Sequence, residues 1–397
     1  MVSDFDKTYN ISYIDDNLPK PGLKEIFEHY RASLFVYGLV LLYLNLGSFG
    51  KTLINYDVIQ FLNYYYFAYV IFAPLILVIF KPRSVRVSHN VVLLNYFRKF
   101  IVNFNTIKFS SYKELKESLE CIIPDYHEKQ CMMLIFIKAF FGALILTFLT
   151  NNANIMIDKI PYYKEFFMYS ADALRHGMSY FWEFIYQQSD FIYKTLIVFL
   201  FAVDLLCFSI GYFTEMAFLN NKIRSCDISF AGIFFCLLCY PPFNKITDTF
   251  IGWAQNDNNV AFHDPYCAVT IIIRIICIIL LTIFSLASVA LWTKASNLTN
   301  RGTVSTFPYN IVRHPAYVSK VSFWFLTAMA AFIVPFSEIA EAPGEYFLRM
   351  FYALITIAVW AFIYYMRALT EERHLLKDPE YQAYTEKVKY KFIPGLF

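Results

Sequence analysis

Two short polar segments near the C-terminus hold most of the residues that could do chemistry. The first lies within residues 306–317 and contains Arg313 and His314, and the second opens with Glu371 and Glu372. Cationic, aromatic and carboxylate side chains together suit a small, water-soluble ligand that carries charges of both signs. Because apolar stretches flank both segments, the pattern predicts a site at a membrane interface, with room for a lipid beside the soluble ligand.

The elements between these segments predict how they meet. Residues 321–340 and 345–366 are apolar and are separated by only four residues, so they are expected to form two antiparallel helices. The residue before Pro343 disfavours helix, and Gly344 can take the backbone through a sharp turn. This hairpin predicts that both polar segments lie at one face of a membrane.

The composition predicts an all-α, polytopic transmembrane bundle. The chain of 397 residues is 58% hydrophobic and 16% charged, against about 25% charged in soluble domains. About eight apolar segments, or seven if the short fifth one fails, are long enough for a hydrocarbon layer of about 30 Å. They are 32–50, 58–80, 131–149, 191–213, 228–243, 266–292, 321–340 and 345–366.

The distribution of positive charge predicts the orientation. If the N-terminus is cytosolic, the cytosolic segments hold 25 Lys and Arg and the opposite segments hold 5. Both termini are therefore expected in the cytosol.

The net charge of only +3 suggests no nucleic-acid partner. The aromatic-rich stretch 150–190 is expected at the interface. A bacterial inner membrane is favoured over the endoplasmic reticulum as the host membrane.

The C-terminal third resembles a known superfamily. The matching residues are Arg313-His314-Pro315-Ala316-Tyr317, a helix hairpin, Glu371-Glu372, and a tail of Tyr381, Tyr384, Val388, Phe392 and Pro394. This pattern is similar to that of the membrane-bound isoprenylcysteine carboxyl methyltransferases and their relatives, the phospholipid N-methyltransferases. The resemblance covers residues 266–397, so residues 1–265 are a multi-span region with no assigned role.

The resemblance implies methyl transfer from S-adenosylmethionine to a membrane lipid or a lipidated substrate, such as an isoprenylated cysteine carboxylate. It implies a cytosol-facing cofactor pocket closed by the C-terminal segment, in which Pro315 fixes the turn. The implied residues fall into two overlapping sets. The catalytic set is Arg313, His314 and Glu372, and the cofactor-binding set is Tyr309, His314, Pro315, Tyr317, Glu371 and Glu372.

The two glutamates cannot have the same role, because adjacent helical residues point about 100° apart. Glu371 follows Arg367 by one turn and could pair with it, which favours Glu372 for direct ligand contact. The acceptor stays open: a carboxylate needs no general base, whereas an amine must first lose a proton to His314 or a glutamate. The family usually has a glycine where this chain has Phe307.

Other intramembrane charges favour a second class of function. Lys138, Asp204 and Arg274 lie inside apolar segments, where a transporter would use them to line a pathway. Asp204 and Arg274 could pair, or Arg274 could bind a substrate carboxylate. A non-catalytic binding protein is a further alternative. No metal is expected, and the cysteines of the Cys236–Cys239 motif are expected to be packing residues because no second pair follows at metal spacing.

Overall fold

The computed structural model describes residues 10–11, 19–104, 112–215, 219–244, 267–330 and 336–396. Nearly all of these residues are helical, as the composition predicts. The helices are α1 (Leu23–Leu46), α2 (Ser48–Leu53), α3 (Tyr56–Phe80), α4 (His89–Phe104), α5 (Tyr112–Glu120), α6 (Tyr126–Ile137), α7 (Ala143–Asp158), α8 (Ile160–His176), α9 (Met178–Gln187), α10 (Ser189–Phe213), α11 (Phe230–Leu237), α12 (Ala268–Leu291), α13 (Pro315–Ala330), α14 (Phe336–Glu341), α15 (Pro343–Leu375) and α16 (Pro379–Lys387). A π-helical turn, Lys138–Gly142, joins α6 to α7 without a break.

Five helices in the described part of the chain are long and apolar enough to cross a membrane. They are Tyr56–Phe80, Tyr126–Asp158, Ser189–Phe213, Ala268–Lys294 and Pro343–Leu375. Each contains or closely overlaps one of the predicted segments. The chain is therefore consistent with a multi-pass membrane protein, as expected from span length and composition.

The other three predicted segments differ from the structure. Helix α1 begins nine residues before the predicted start at residue 32 and ends at Leu46, since Gly47 is extended. Helix α11 has eight residues and a length of about 12 Å, too short to cross the hydrocarbon layer. The segment 321–340 is helical to Ala330 and again from Phe336, and residues 331–335 lie outside the described part.

The chain divides into two compact units. The first contains Met1–Thr147, Tyr212–Ile233 and Ser296–Gly302, and its α1 packs against α3 and α4. Buried polar contacts join these helices, among them a hydrogen bond from the Asn90 amide to the Ser33 hydroxyl. A short antiparallel pair of strands, β1 (Ser225–Cys226) and β2 (Thr299–Asn300), completes this unit.

The second unit contains Phe148–Gly211, Phe234–Ala295 and Thr303–Phe397. Helices α10 and α12 run in the same direction, because their contacts keep a nearly constant offset along the chain. Arg274 of α12 contacts Asp190 of α10, and Ser288 further along α12 contacts Asp204. The core beside them contains Tyr193, Ile197, Cys277, Leu281, Phe323, Trp324, Trp360, Ile363 and Tyr364.

Helices α13 and α15 form the predicted antiparallel hairpin. The Trp324 ring packs on Trp360 and Tyr364, while Tyr317, two turns earlier in α13, contacts Tyr364 and Glu371. The break before α15 lies at Ala342, which is non-helical as expected before a proline. Gly344 does not make the turn, because α15 already begins at Pro343 and Gly344 is helical.

The long α15 positions the glutamate pair. It has 33 residues, about 50 Å, and continues nine residues past the predicted end at residue 366. Glu371 and Glu372 therefore lie on the last turns of a rigid helix. The two compact units do not coincide with residues 1–265 and 266–397, the two regions proposed from the sequence. That proposal concerned function rather than packing, and it stays a prediction.

Candidate functional site

Pro315 starts helix α13 and places the Arg313-His314 pair at the end of the helix. A proline is well suited to the first helical position, because it has no N–H to leave unpaired there. The His314 carbonyl accepts the first helical hydrogen bond, from the Val318 amide at 3.2 Å. Arg313 and His314 are thereby fixed just outside the helix, facing the last turns of α15.

The two glutamates point in different directions, as helix geometry requires. Glu372 is 3% exposed and points into the protein, whereas Glu371 is exposed. They are adjacent in sequence, so the helical rotation of about 100° separates their environments. One carboxylate is therefore internal and the other is accessible to a ligand.

The Glu372 carboxylate is held by the side chains of Arg313, His314 and Lys391. Its Oε1 lies 3.3 Å from Arg313 Nη1 and 3.2 Å from His314 Nε2, and its Oε2 lies 2.9 Å from Lys391 Nζ. A buried carboxylate is costly unless it is paired and hydrogen-bonded, and here both oxygens have partners. We name these four residues the Glu372 clamp.

Glu371 is positioned by an aromatic residue of the facing helix. The Tyr317 hydroxyl donates a hydrogen bond of 2.6 Å to Glu371 Oε2. The Tyr317 ring is stacked on the His314 ring, with centroids 5.3 Å apart, and the Arg367 guanidinium lies 5.2 Å from the Tyr317 centroid. An accessible carboxylate thus borders a surface of aromatic rings.

The C-terminal segment covers the Arg313-His314 pair. The Arg313 amide donates to the Tyr390 carbonyl at 3.0 Å, and the His314 amide donates to the Lys391 carbonyl at 2.9 Å. The Phe392 ring lies 5.6 Å from the His314 ring. This arrangement agrees with a C-terminal segment that closes over the site.

Helix α16 holds that segment in place. The Asp378 side chain caps the helix by accepting from the Glu380 amide, and Pro379, the first helical residue, has no N–H to leave unpaired there. Tyr381, Tyr384 and Val388 pack together against Leu375. These three tail residues are therefore packing residues, and their packing fixes the positions of Lys391 and Phe392.

Two buried phenols connect this tail to the loop before Arg313. The Tyr384 hydroxyl donates to the Tyr309 carbonyl at 2.7 Å, and burial raises the pKa of Tyr384 to about 12. Burial, and then the charge of Glu371, raise the pKa of Tyr309. Both phenols therefore stay protonated at neutral pH. Phe307 is exposed.

The intramembrane charges have protein partners. Arg274 is buried, pairs with Asp190 and lies over the Tyr193 ring, while Asp204 accepts a hydrogen bond from Ser288. The predicted Asp204–Arg274 pair is wrong, because the parallel α10 and α12 place Arg274 beside Asp190, and Asp204 is fourteen residues further along α10. The substrate role of Arg274 stays a prediction.

Lys138, in the first compact unit, also has a carboxylate partner. Its Nζ lies 3.0 Å from Glu215 Oε2. The π-helical turn that begins at Lys138 re-aims this side chain within a long apolar helix. Lys138, one of the charges that suggested a transport pathway, is therefore part of an ion pair.

Three cations near the site were not singled out by their sequence positions. Lys391 belongs to a run in which every second residue is basic, and nothing in the run distinguishes it. Arg367 and Lys320 lie next to predicted helix ends, where snorkelling is the ordinary expectation. Only the hairpin geometry brings them beside Tyr317 and Glu372.

The Cys236–Cys239 motif lies at the end of the short helix α11, close to Tyr317 and Arg367. Cys236 is buried and Cys239 is partly buried, and both are free thiols. Among the residues that the structure describes, no group of three or more His, Cys, Asp or Glu could hold a metal. Packing remains the interpretation of this motif.

Comparison of the chain with family models, with curated proteins and with solved structures found no match. The function therefore has to be inferred from the geometry of the site itself.

Proposed function

We propose that the chain is an S-adenosylmethionine-dependent methyltransferase that acts on a membrane-embedded acceptor. The observation that carries the proposal is the accessible Glu371 carboxylate, held by Tyr317 beside the stacked His314 ring. This group of residues lies at the end of a hairpin of apolar helices. The C-terminal segment beside it hydrogen-bonds to the Arg313 and His314 amides. A charged cofactor and a lipid-like acceptor could both reach this place.

The side chains match the charged parts of this cofactor. An accessible carboxylate suits its ammonium group, and the His314, Tyr317 and Phe392 rings offer faces for its sulfonium. The buried Arg313 Nε has no hydrogen-bond partner among the described residues, so it is a donor available for a carboxylate. We propose Glu371, rather than Glu372, as the direct contact, because both Glu372 oxygens are already engaged by Arg313, His314 and Lys391.

When bound, the cofactor supplies a methyl carbon that its sulfonium activates for displacement. The protein's own contribution is binding and orientation. The Glu372 clamp fixes Arg313 and His314, the Tyr317 hydroxyl orients Glu371, and the covering segment excludes water. None of these roles requires a proton transfer.

We further propose that the acceptor is an acid, as in an isoprenylated cysteine or lipid carboxylate, rather than an amine. An amine acceptor needs a base, but Glu372 is paired with Arg313 and Lys391, and His314 Nε2 is engaged by Glu372. Lys320 lies one helical turn below Tyr317. Its ammonium lies over the Phe201, Phe284 and Trp324 rings and makes no ion pair in the described part of the chain. This positive charge favours an anionic head group.

The transporter alternative has less support, because two of the three charges that suggested it form ion pairs and the third accepts a hydrogen bond. Lys138 pairs with Glu215, Arg274 pairs with Asp190, and Asp204 accepts from Ser288. Amine methylation and a non-catalytic binding role are outcomes that the experiments below distinguish.

The first experiment measures cofactor binding. Titrating the purified protein with S-adenosylmethionine by calorimetry is expected to show saturable binding. Glu371→Gln should weaken it by about 10- to 100-fold, since a charge-assisted hydrogen bond contributes about 1.5–3 kcal/mol. Glu345→Gln, an exposed glutamate at the far end of α15, is the matched control and should bind normally. No binding by the unmodified protein would refute the proposal.

The second experiment identifies the acceptor. Membranes containing the protein are incubated with methyl-labelled cofactor, and the product is treated with base. A base-labile ester is expected, whereas a stable methylamine would show an amine acceptor. Lys320→Ala should raise KM for an acidic acceptor by roughly 10-fold without changing cofactor affinity. Lys194→Ala, a lysine at the start of α10 paired with Asp190, serves as its control.

We also propose that both termini lie in the cytosol, because the positive charges are concentrated on that side and the cofactor is made there. A reporter fused after residue 397 should respond in the cytosol. A reporter that responds only on the opposite side would reverse the orientation and place the site away from the cofactor supply.

A further inference from the structure

A helical hairpin between two candidate spans has no buried residue. Helix α8 and helix α9 are joined at Gly177, whose φ of +118° suits only glycine at low cost. The two helices contact each other through Phe166 and Phe184, with ring centroids 5.4 Å apart.

Each helix is apolar along one side and polar along another. Helix α9 exposes Met178, Trp182 and Tyr186, which follow each other at four-residue spacing and therefore form one stripe, and Trp182 is 62% exposed. Ser179, Glu183 and Gln187 have the same spacing, shifted by one residue. The polar stripe therefore lies about 100° around the helix.

Helix α8 repeats this division over a longer distance. Ile160, Phe167 and Leu174 recur every seven residues, or two turns, and Phe167 is 69% exposed. Glu165 and Asp172 also recur every seven residues and lie on the opposite side of the helix. Helix α9 is therefore amphipathic, and α8 is so in part, since the exposed Tyr162 and Tyr169 lie on its charged side.

The connections place the hairpin at a membrane boundary. It follows the candidate span that ends at Asp158 and precedes the one that begins at Ser189, with a single residue at each junction. Phe166 and Tyr163 pack on Phe191, at the start of α10. The hairpin therefore continues two apolar helices at the point where they leave the hydrocarbon layer.

This boundary is not the one that holds the candidate site. Lys320, one turn from Tyr317 of the site, lies over the Phe201 ring, which is ten residues, or about 15 Å, beyond Phe191 along α10. The hairpin packs on Phe191 instead, so the candidate site lies towards the other end of α10.

We propose that residues 160–187 lie along the lipid–water interface on the face opposite the candidate site. The stripes of α8 and α9 enter the acyl boundary, and the charged sides face the head groups and water. The hairpin cannot cross the layer, because α8 is 17 residues long, about 25 Å, and carries charged residues along its length. Exposed tyrosine and tryptophan are typical of this depth.

Fluorescence quenching of Trp182 tests this placement. The full chain is reconstituted into phosphatidylcholine vesicles whose acyl chains are brominated either near the head group or near the chain end. Emission from Trp182 is the difference between the unmodified protein and Trp182→Phe. Bromine near the head group is expected to remove on the order of half of that emission, and chain-end bromine and aqueous iodide much less.

The polar stripe provides the control. In the Trp182→Phe protein, Glu183→Trp places a reporter at the same level but about 100° around the helix, on the water-facing side, and iodide should quench it while bromine does not. If iodide rather than bromine quenched Trp182, the hairpin would lie in water and the proposal would be wrong. Strongest quenching by chain-end bromine would show deep insertion, and protection from both quenchers would show a protein partner or a second copy. Either result would also overturn it.

Discussion

Replacing the buried Glu372 by glutamine is the sharpest perturbation of the site. Glutamine has nearly the same size, so the substitution changes charge with little change in packing. In the protein, the Glu372 carboxylate lies within 3.3 Å of Arg313, His314 and Lys391. In Glu372→Gln, Arg313, His314 and Lys391 would face a neutral amide. The amide nitrogen is a hydrogen-bond donor, as their nitrogens are, so it cannot accept from them.

The expected loss of stability follows from this environment. Breaking a buried ion pair by removing one partner costs about 3–5 kcal/mol, because the other charge is left uncompensated. Arg313 is the main source of that cost, since its side chain is only 10% exposed, whereas Lys391 is about a third exposed and can turn to water. We expect Glu372→Gln to lower the free energy of unfolding by about 3–5 kcal/mol.

Chemical unfolding in detergent provides the assay. Helix content and tryptophan fluorescence can both be followed, because Trp324 and Trp360 are packed in the hairpin that carries the site. Glu345→Gln, which affects an exposed pair at the other end of α15, should change stability by less than about 1 kcal/mol. Glu371→Gln should also leave stability nearly unchanged while it weakens cofactor binding.

Unfolding of Glu372→Gln at the same denaturant concentration as the unmodified protein would refute this reasoning. Glu372 would then not stabilise the hairpin. A double-mutant cycle with Lys391→Met separates the contributions. The cycle should give a small coupling energy if Arg313 carries most of the cost, and a coupling energy as large as the whole loss would assign the cost to Lys391 instead.

Three further predictions concern other contacts. Asp190→Asn should lower the free energy of unfolding by about 2 kcal/mol, less than a fully buried pair because Asp190 is a third exposed, and chemical unfolding measures it. Tyr384→Phe removes the hydrogen bond to the Tyr309 carbonyl and should cost about 1 kcal/mol in the same assay, with faster proteolysis of the C-terminal segment. Burial lowers the pKa of His89 below its ordinary 6.5, so its contribution to stability is complete above pH 6.5 and is lost as the pH falls through the lowered value. The midpoint of thermal unfolding should therefore fall on acidification, and the fall should be smaller in His89→Gln.

Local patterns in the sequence predicted the elements that depend on neighbouring residues alone. Asp378-Pro379 marks the start of α16, and Pro343 marks the start of α15. Span length and apolar composition predicted the long helices because these are properties of a continuous stretch. Gly344 shows the limit, since its conformational freedom permits a turn but does not place one there.

Adjacent positions on a helix face different surroundings, and this was also predictable. The rotation of about 100° per residue shows that Glu371 and Glu372 must differ. Which of them is buried depends on the way α15 is rotated against α13, and that rotation is set by packing of Trp324, Trp360 and Tyr364. Sequence spacing contains no information on that rotation.

By itself, the sequence determined that this protein is a helical membrane chain with a C-terminal hairpin that brings Arg313-His314 to a glutamate pair. The hydrophobic period, the length of an apolar segment and the effect of a proline are local properties, so the sequence alone predicts them. Only the tertiary structure decided which groups each charge contacts. Lys391 reaches Glu372 because the C-terminal segment folds back along Arg313, and Arg274 meets Asp190 because α10 and α12 run in parallel. Ion pairs between distant residues form from the three-dimensional proximity that packing creates, and the distance along the chain does not specify it.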